Sequence, residues 1–140
     1  MNVDIIVADS DYVIALMNSE DIHSNKVFTL LNKLSNENIK IIYPVTVLSE
    51  SVSTIQRKIG NRKLALDILY LVTKEDFIVE TVDSKIFNEA IKFFKLNTSK
   101  QNTIFDAIVA ATALKYNAKA IFSFDKWYKK LGFKLVQDIY

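Results

Sequence analysis

Val3-Asp4-Ile5-Ile6-Val7-Ala8-Asp9 is the stretch whose reading decides the fold. Val3–Ala8 reads as one apolar run, the pattern of a parallel strand covered on both faces, and it ends on a carboxylate. The same grammar returns near the other end of the chain, where Ala120-Ile121-Phe122-Ser123-Phe124 runs into Asp125. In an open α/β sheet the carboxyl ends of strands and the amino ends of helices face one edge. An acid at such a junction therefore points to that edge.

The segments between these two runs alternate strand and helix. A short helix is expected over residues 11–17, and a longer one over Ser24–Leu34 with Val27, Leu30, Leu31 and Leu34 on one face. Lys40–Tyr43 reads as a short strand. Leu48, Val52, Ile55 and Ile59 form a helical stripe that Gly60-Asn61 breaks, and Arg62–Thr73 forms the second arm of a helical hairpin. Phe77–Val82 is a third strand, and Asp83 or Ser84 caps a helix whose apolar face is Ile86, Phe87, Ala90, Ile91 and Phe94. After the polar loop of residues 97–102, Thr103-x-x-Asp106 resembles a capping box with Asp in place of Glu or Gln. The helix from Ile104 to about Tyr116 is apolar nearly all round and is expected to be central. Lys119–Phe124 and Phe133–Val136 are the last two strands, with a short helix at Lys126–Leu131 between them. This alternation predicts a three-layer α/β/α domain on a parallel sheet.

Composition fits one such domain spanning residues 1–140: half of the residues are apolar, 24% are charged, and there are two glycines and one proline. No apolar run approaches the roughly 18–20 residues of a membrane span, and no basic segment followed by an apolar one opens the chain. A cytoplasmic location without membrane contact is the expectation. The absence of cysteine excludes disulfides, thiolate zinc sites and thiol nucleophiles. His23 is the one histidine, so neither a histidine-built zinc site nor a usual Ser-His-Asp triad is available. Two glycines also exclude the glycine-rich phosphate loops.

Four acids remain as the chemistry-bearing set: Asp9, Glu50, Asp106 and Asp125. Asp106 is the only charged residue between Ile104 and Leu114, and an isolated buried carboxylate is costly. Its bland alternative is a first-turn cap interacting with the helix dipole. Asp9 and Asp125 each end an apolar run; a surface turn is the alternative for both. Glu50 sits near the start of its helix, opposite the apolar stripe, either solvated or leaning over the sheet edge. Four carboxylates on one edge repel one another unless a divalent cation lies between them. The set reads as a metal site, with the hydroxyl of Ser123 available to a bound water or phosphate. Gathering the acids also leaves the rest of a chain of net charge +2 more basic, which suits a polyanionic substrate. Trp127 and the Phe and Tyr residues fall on apolar stripes and are read as core.

Val-Ala-Asp9-Ser10, Pro44-Val-Thr46-Val-Leu-Ser-Glu50, Phe-Asp106-Ala-Ile-Val-Ala-Ala and Ile-Phe-Ser123-Phe-Asp125 are, in order and spacing, similar to the motifs of PIN-domain ribonucleases. This is the fold of the toxin half of VapBC-type toxin–antitoxin pairs, and the resemblance covers essentially the whole chain. It implies a five-stranded parallel sheet, a homodimer, an antitoxin partner, and RNA cleavage dependent on Mg²⁺ or Mn²⁺. Under it Asp9, Asp106 and Asp125 are metal ligands, Glu50 is a ligand directly or through water, and Ser123 positions water or phosphate. The half-apolar composition also leaves surface for a second copy of the chain. Arg57, Lys58, Arg62 and Lys63 cluster at the helical hairpin tip. A solvated tip is their default, and contact with an RNA backbone is the functional alternative.

Two other readings compete. Asp9-Ser-Asp11-Tyr-Val13 also matches the strand-terminal Asp-x-Asp-x-Val pattern of haloacid-dehalogenase-type phosphohydrolases, with Asp9 as nucleophile. That family's last motif requires a second acid shortly after Asp125, which is missing, and Glu50 and Asp106 are left without a role. The other is a PIN-like module that binds RNA or protein without cleaving anything.

Overall fold

The structure is a computed structural model that describes residues 3–74 and 77–140. Its frame is a parallel sheet of β1 (Asp4–Ala8), β2 (Ile39–Pro44), β3 (Ile78–Glu80) and β4 (Ala120–Phe122), in the order β3-β2-β1-β4. β1 lies inside the sheet, pairing Asp4 to Val7 with Ile39 to Ile42 on one side and Ile6 to Ala8 with Ala120 to Phe122 on the other. Ile6, Val7 and Ala8 are wholly buried, as a two-sided apolar strand must be.

Each parallel step needs a crossover, and helices supply them. α1 (Ser10–Met17) and α2 (Ser24–Leu34) link β1 to β2. α3 (Val45–Thr54), a π-helical turn (Ile55–Ile59) and α4 (Arg62–Thr73) link β2 to β3. α5 (Ser84–Leu96) and α6 (Ile104–Lys115) then carry the chain back past β2 and β1 to β4, and α7 (Trp127–Lys130) follows. Because parallel crossovers share one hand, this reversal of direction puts helices on both faces of the sheet. It also creates a switch point between β1 and β4, where crevices open at the carboxyl ends of strands.

α6 is the central helix, with every residue from Ala107 to Ala113 buried. Its alanines let it lie close against both the sheet and α5. An aromatic row backs the switch point: Tyr12 of α1 stacks on Phe122 at 3.9 Å, and Tyr43 stacks on Phe77 at 4.2 Å. The two tyrosine hydroxyls join the halves of the row through a buried 2.8 Å hydrogen bond.

Among the described residues the sheet has four strands, not five. The segment expected as a fifth strand over Phe133–Val136 makes one parallel bridge, Ile121 to Leu135. Ile121 N donates to the Lys134 carbonyl at 2.9 Å. Leu135 and Val136 are both buried in succession, and the chain turns at once into a 3₁₀ turn at Val136–Asp138. The chain leaves the sheet for this turn directly after Leu135, so the pairing stops after one residue.

Two helix faces also differ from the apolar pattern. On α5 the buried positions are Ile86 and Ala90, with Phe93 packed against the core. Phe87 and Phe94 stand 43% and 46% exposed. On the α3 arm the buried face is Val47, Leu48, Ser51 and Ile55, and Ile59 rotates out into solvent. The cause is the π-helical turn, whose wider i→i+5 winding moves every later residue off the 3.6-residue register. Gly60 closes it in the left-handed conformation at φ 72°, and the side chain of Asn61 caps α4 by accepting from Leu64 N at 3.0 Å.

Candidate functional site

Asp9 occupies the switch point because β1 ends there and α1 begins. It is the N-cap of α1, with Oδ1 accepting from Ser10 N at 2.7 Å, yet only 4% of the residue is exposed. Its other oxygen accepts from the hydroxyls of Tyr128 at 2.7 Å and Ser123 at 3.0 Å. Ser123 comes from the end of the neighbouring strand and Tyr128 from α7, so the carboxylate joins three elements. Burial raises the pKa of Asp9 well above the ordinary carboxylate value, and repulsion from Asp11 and Asp106 adds to the rise.

Asp106 fulfils both readings of its sequence context. Oδ2 accepts from Thr103 N at 2.9 Å while the Thr103 hydroxyl accepts from Phe105 N at 3.2 Å, so the capping box forms around α6. Oδ1 meanwhile faces the Tyr128 hydroxyl at 3.5 Å. Burial and the neighbouring Asp125 raise its pKa, and its bond to Thr103 N opposes them. Because Tyr128 bonds Asp9 at the shorter distance, its hydroxyl marks the place where two carboxylates approach each other.

Asp125 enters from the loop after β4. Oδ1 accepts from Trp127 N at 2.9 Å and Oδ2 from Asn102 Nδ2 at 2.7 Å. The same Asn102 nitrogen reaches Asp106 Oδ2 at 3.3 Å, so one amide yokes the two acids. Asn102 is itself held: its carbonyl accepts from Asn97 Nδ2 at 2.8 Å, and its N–H donates to Ser99 Oγ at 3.3 Å. The polar loop of residues 97–102 is thus folded on itself to aim one amide into the acidic cluster. Glu50 is half-buried on α3; burial raises its pKa, Asp106 raises it further, and Ser10 and Lys58 partly offset that.

Sequence reasoning missed three participants. Tyr128 was expected in the core, and it is wholly buried, but its hydroxyl belongs to the acids. Asn102 carried no signal beyond its polar loop. Asp11 figured only in the phosphohydrolase pattern, and its geometry is that of a latch: Oδ1 accepts from Tyr12 N at 2.8 Å, Oδ2 accepts from Phe124 N at 2.7 Å, and Oδ2 shares the one Ser123 hydroxyl proton with Asp9, 3.0 Å from Oγ. It clips the loop after β4 to the start of α1. Ser123 is wholly buried behind Asp9, with its hydroxyl between Asp9 and Asp11 and accepting from Asp125 N at 3.1 Å. In this arrangement it orients carboxylates. His23 lies outside the cluster, stacked on Phe124 at 4.1 Å.

The acids do not form a closed cage. Among the described residues, no three Asp, Glu, His or Cys side chains stand together at the spacing of a metal shell. Tyr128, Asn102 and backbone N–H groups satisfy the oxygens instead. The five ion pairs found among the described residues involve none of Asp9, Glu50, Asp106 or Asp125.

Fold and site together define a parallel α/β domain that collects carboxylates at the switch point of its sheet. The chain belongs to the PIN domain family, whose pattern it matches over residues 6–134. It is 26% identical over 136 residues to the VapC ribonuclease of Aquifex aeolicus (strain VF5), which covers 91% of this chain and 93% of that protein. Its backbone is similar to that of VapC20 from Mycobacterium tuberculosis, a toxin that cleaves the sarcin-ricin loop. The TM-score is 0.80 at 19% identity, over 91% of this chain and 95% of that one. It is also similar to a chain of VapBC2 from Rickettsia felis, whose structure is bound to a promoter DNA fragment. There the TM-score is 0.68 at 15% identity, over 94% of this chain and 96% of that one. These two structural likenesses establish the shared fold.

The electrostatics set a pH dependence for the protein free of divalent ions. Burial lifts Asp11 from 3.8 to about 6, so the native state binds its proton more tightly than the unfolded chain does. The resulting stabilisation is complete below about pH 4 and is lost as pH rises through about 6. Asp9, Glu50 and Asp106 are shifted in the same direction. In chelator, the melting temperature is expected to be several degrees higher near pH 5 than near pH 7. Thermal melting across that range checks it; a fall on acidification would mean that the acids are paired rather than repelling.

Proposed function

We propose that this chain is a divalent-metal-dependent endoribonuclease and the toxin of a toxin–antitoxin pair. The observation that carries the reading is the set Asp9, Glu50, Asp106 and Asp125 brought to the switch point with mutual repulsion and no ion-paired cation. The donor set fits a hard cation: it offers oxygen alone, and Asp106 Oδ1 is engaged only by the long 3.5 Å approach of Tyr128. Asp9, Asp106 and Asp125 would hold Mg²⁺ or Mn²⁺, with Glu50 a ligand directly or through water. When bound, such an ion lowers the pKa of a coordinated water and neutralises charge on a phosphodiester.

The chain's own residues supply orientation. Tyr128 and Ser123 hold the Asp9 carboxylate in place, and Asn102 holds Asp125 beside Asp106. Ser123 supports the site through these bonds. The similarity to a VapC ribonuclease supports RNA as the substrate. The phosphohydrolase reading is disfavoured because the chain matches the PIN family and lacks the second acid that pattern needs shortly after Asp125. Among the described residues no helix is long and apolar enough to cross a membrane, in keeping with a cytoplasmic RNA substrate.

Activity is expected to vanish in excess chelator and return with Mg²⁺ or Mn²⁺. Cleavage of RNA that continues undiminished in chelator would overturn the metal mechanism. Metal-dependent hydrolysis of small phosphate esters, with RNA left intact, would restore the phosphohydrolase.

Asp106→Asn separates the capping role from the chemical one. Asparagine keeps an oxygen for Thr103 N, so the cap survives, but one charge leaves the acidic cluster. RNA cleavage is expected to fall by orders of magnitude while the melting temperature in chelator holds or rises. A variant with wild-type cleavage would return Asp106 to capping alone.

A homodimer and an antitoxin complex complete the proposal. The exposed Phe87 and Phe94 on α5, and Leu66, Leu69 and Tyr70 on α4, offer apolar surface for both. Sedimentation at tens of micromolar is expected to show a dimer for the protein alone. Co-expression with the small protein of the adjacent reading frame is expected to give a larger complex. Monomer under both conditions would exclude these assemblies.

A further inference from the structure

Glu50 begins a polar track that leads away from the acidic cluster. Along the α3 arm, Glu50, Ser53 and Thr54 follow at i, i+3 and i+4, the spacing of one helix face, and Arg57 and Lys58 come from the π-helical turn that continues it. The opposite face, Val47, Leu48, Ser51 and Ile55, is buried. Ser53, Thr54, Arg57 and Lys58 line a shallow hollow of about 370 Å³. Neither Arg57 nor Lys58 is in any of the five ion pairs found among the described residues, although Lys63 in the next helix pairs with Asp67 at 3.5 Å. One turn before Glu50, the buried Thr46 Oγ1 has no hydrogen-bond partner.

The π-helical turn gives this track its form. Such turns mark functional positions in helices, and this one keeps Ile55 in the core while releasing Ile59 to solvent. A hollow with two hydroxyl donors and two cations in no ion pair among the described residues fits a phosphodiester oxygen, for which arginine offers a fork of N–H donors and lysine a point charge.

We propose that Ser53, Thr54, Arg57 and Lys58 form a backbone-phosphate subsite that holds the RNA strand beside the bond to be cut. The subsite rests on the nuclease reading and deepens it. It takes phosphates next to the scissile one, whatever their bases, and it leads the strand past Glu50 to the acids. Arg62 and Lys63, which share the hairpin tip in sequence, start α4 and lie outside the track.

The test uses Arg57→Gln/Lys58→Gln in the full chain, with Arg62→Gln/Lys63→Gln as a control that removes the same charge. Binding of two short single-stranded RNAs of unrelated sequence is measured over a salt series in the Asp106→Asn background, so that the RNA stays intact. The track variant is expected to weaken both RNAs by about 10-fold or more at low salt. The slope of log affinity against log salt should flatten by about 1.4, the share of two phosphate contacts to a single strand. With active protein and cleavable RNA, the loss is expected to fall on KM more than on kcat. The control should keep nearly the wild-type slope. Equal slopes for the track variant and wild type, or equal losses in the track and control variants, would overturn the subsite. An RNA left uncut by wild type with Mg²⁺ or Mn²⁺ would instead overturn the nuclease reading on which it rests.

Discussion

A buried carboxylate at the end of the central strand is the constraint on which the rest of the structure depends. Asp9 is 4% exposed at the junction of β1 and α1, where an unsupported charge would cost several kcal/mol. Its bonds to Ser10 N–H, Ser123 and Tyr128 lower that cost without neutralising it. Those bonds also determine where β4 ends, how the following loop runs, and which way α7 faces. Asp11 repeats the arrangement two residues on, tying Phe124 N–H and Ser123 to the same helix start. The loop that carries Asp125 is therefore positioned by acids, and Asp125 is in turn drawn to Asp106 by Asn102.

This architecture accepts repulsion in exchange for a charged crevice. Stability alone would favour replacing part of the cluster with apolar side chains, since buried charges rarely repay their desolvation. The molecule instead spends donors on them: two hydroxyls, one side-chain amide and several backbone N–H groups, none carrying a formal positive charge. A lysine or arginine in the cluster would relieve the repulsion, but it would also fill the place where a positive ligand gains most. Neutral donors orient carboxylates and leave their charge available. Arg57 and Lys58 stand on the α3 arm outside the cluster, and Lys58 offsets only part of what raises the Glu50 pKa.

Much of the fold was legible because its signals are local. The apolar runs into Asp9 and Asp125, the capping box at Thr103, and the helix from Ile104, apolar nearly all round, depend on neighbouring residues, and each appears where the pattern placed it. Non-local features were not legible. Nothing near Leu135 reveals that its pairing with Ile121 lasts one residue before the chain turns at Val136. The apolar count of α5 gives no hint that Phe87 and Phe94 face outward, since hydrophobic periodicity finds a stripe and not its partner. The four acids proposed for the site could be picked out from strand and helix ends. Tyr128 could not be, because a tyrosine on an apolar stripe looks the same whether its hydroxyl meets solvent or a carboxylate. Asn102 takes its role from the folding of its loop.

Asp106 shows why fold and site cannot be separated here. Its Oδ2 completes the cap of the most buried helix in the protein, while Oδ1 turns toward Tyr128 and Asp9. The capping box fixes the rotamer, so the entropy of holding that carboxylate over the crevice is already spent in forming the helix. A loop acid at the same point would have to be ordered at the moment of binding. α6 also packs against α5 and the sheet through Ala107 to Ala113, and that packing holds the cap in position. The orientation of the carboxylate therefore follows from a row of alanines one to two turns away. Enlarging any of them would tilt the helix and move the acid before it exposed any core, so the small residues behind Asp106 serve the site as much as the core.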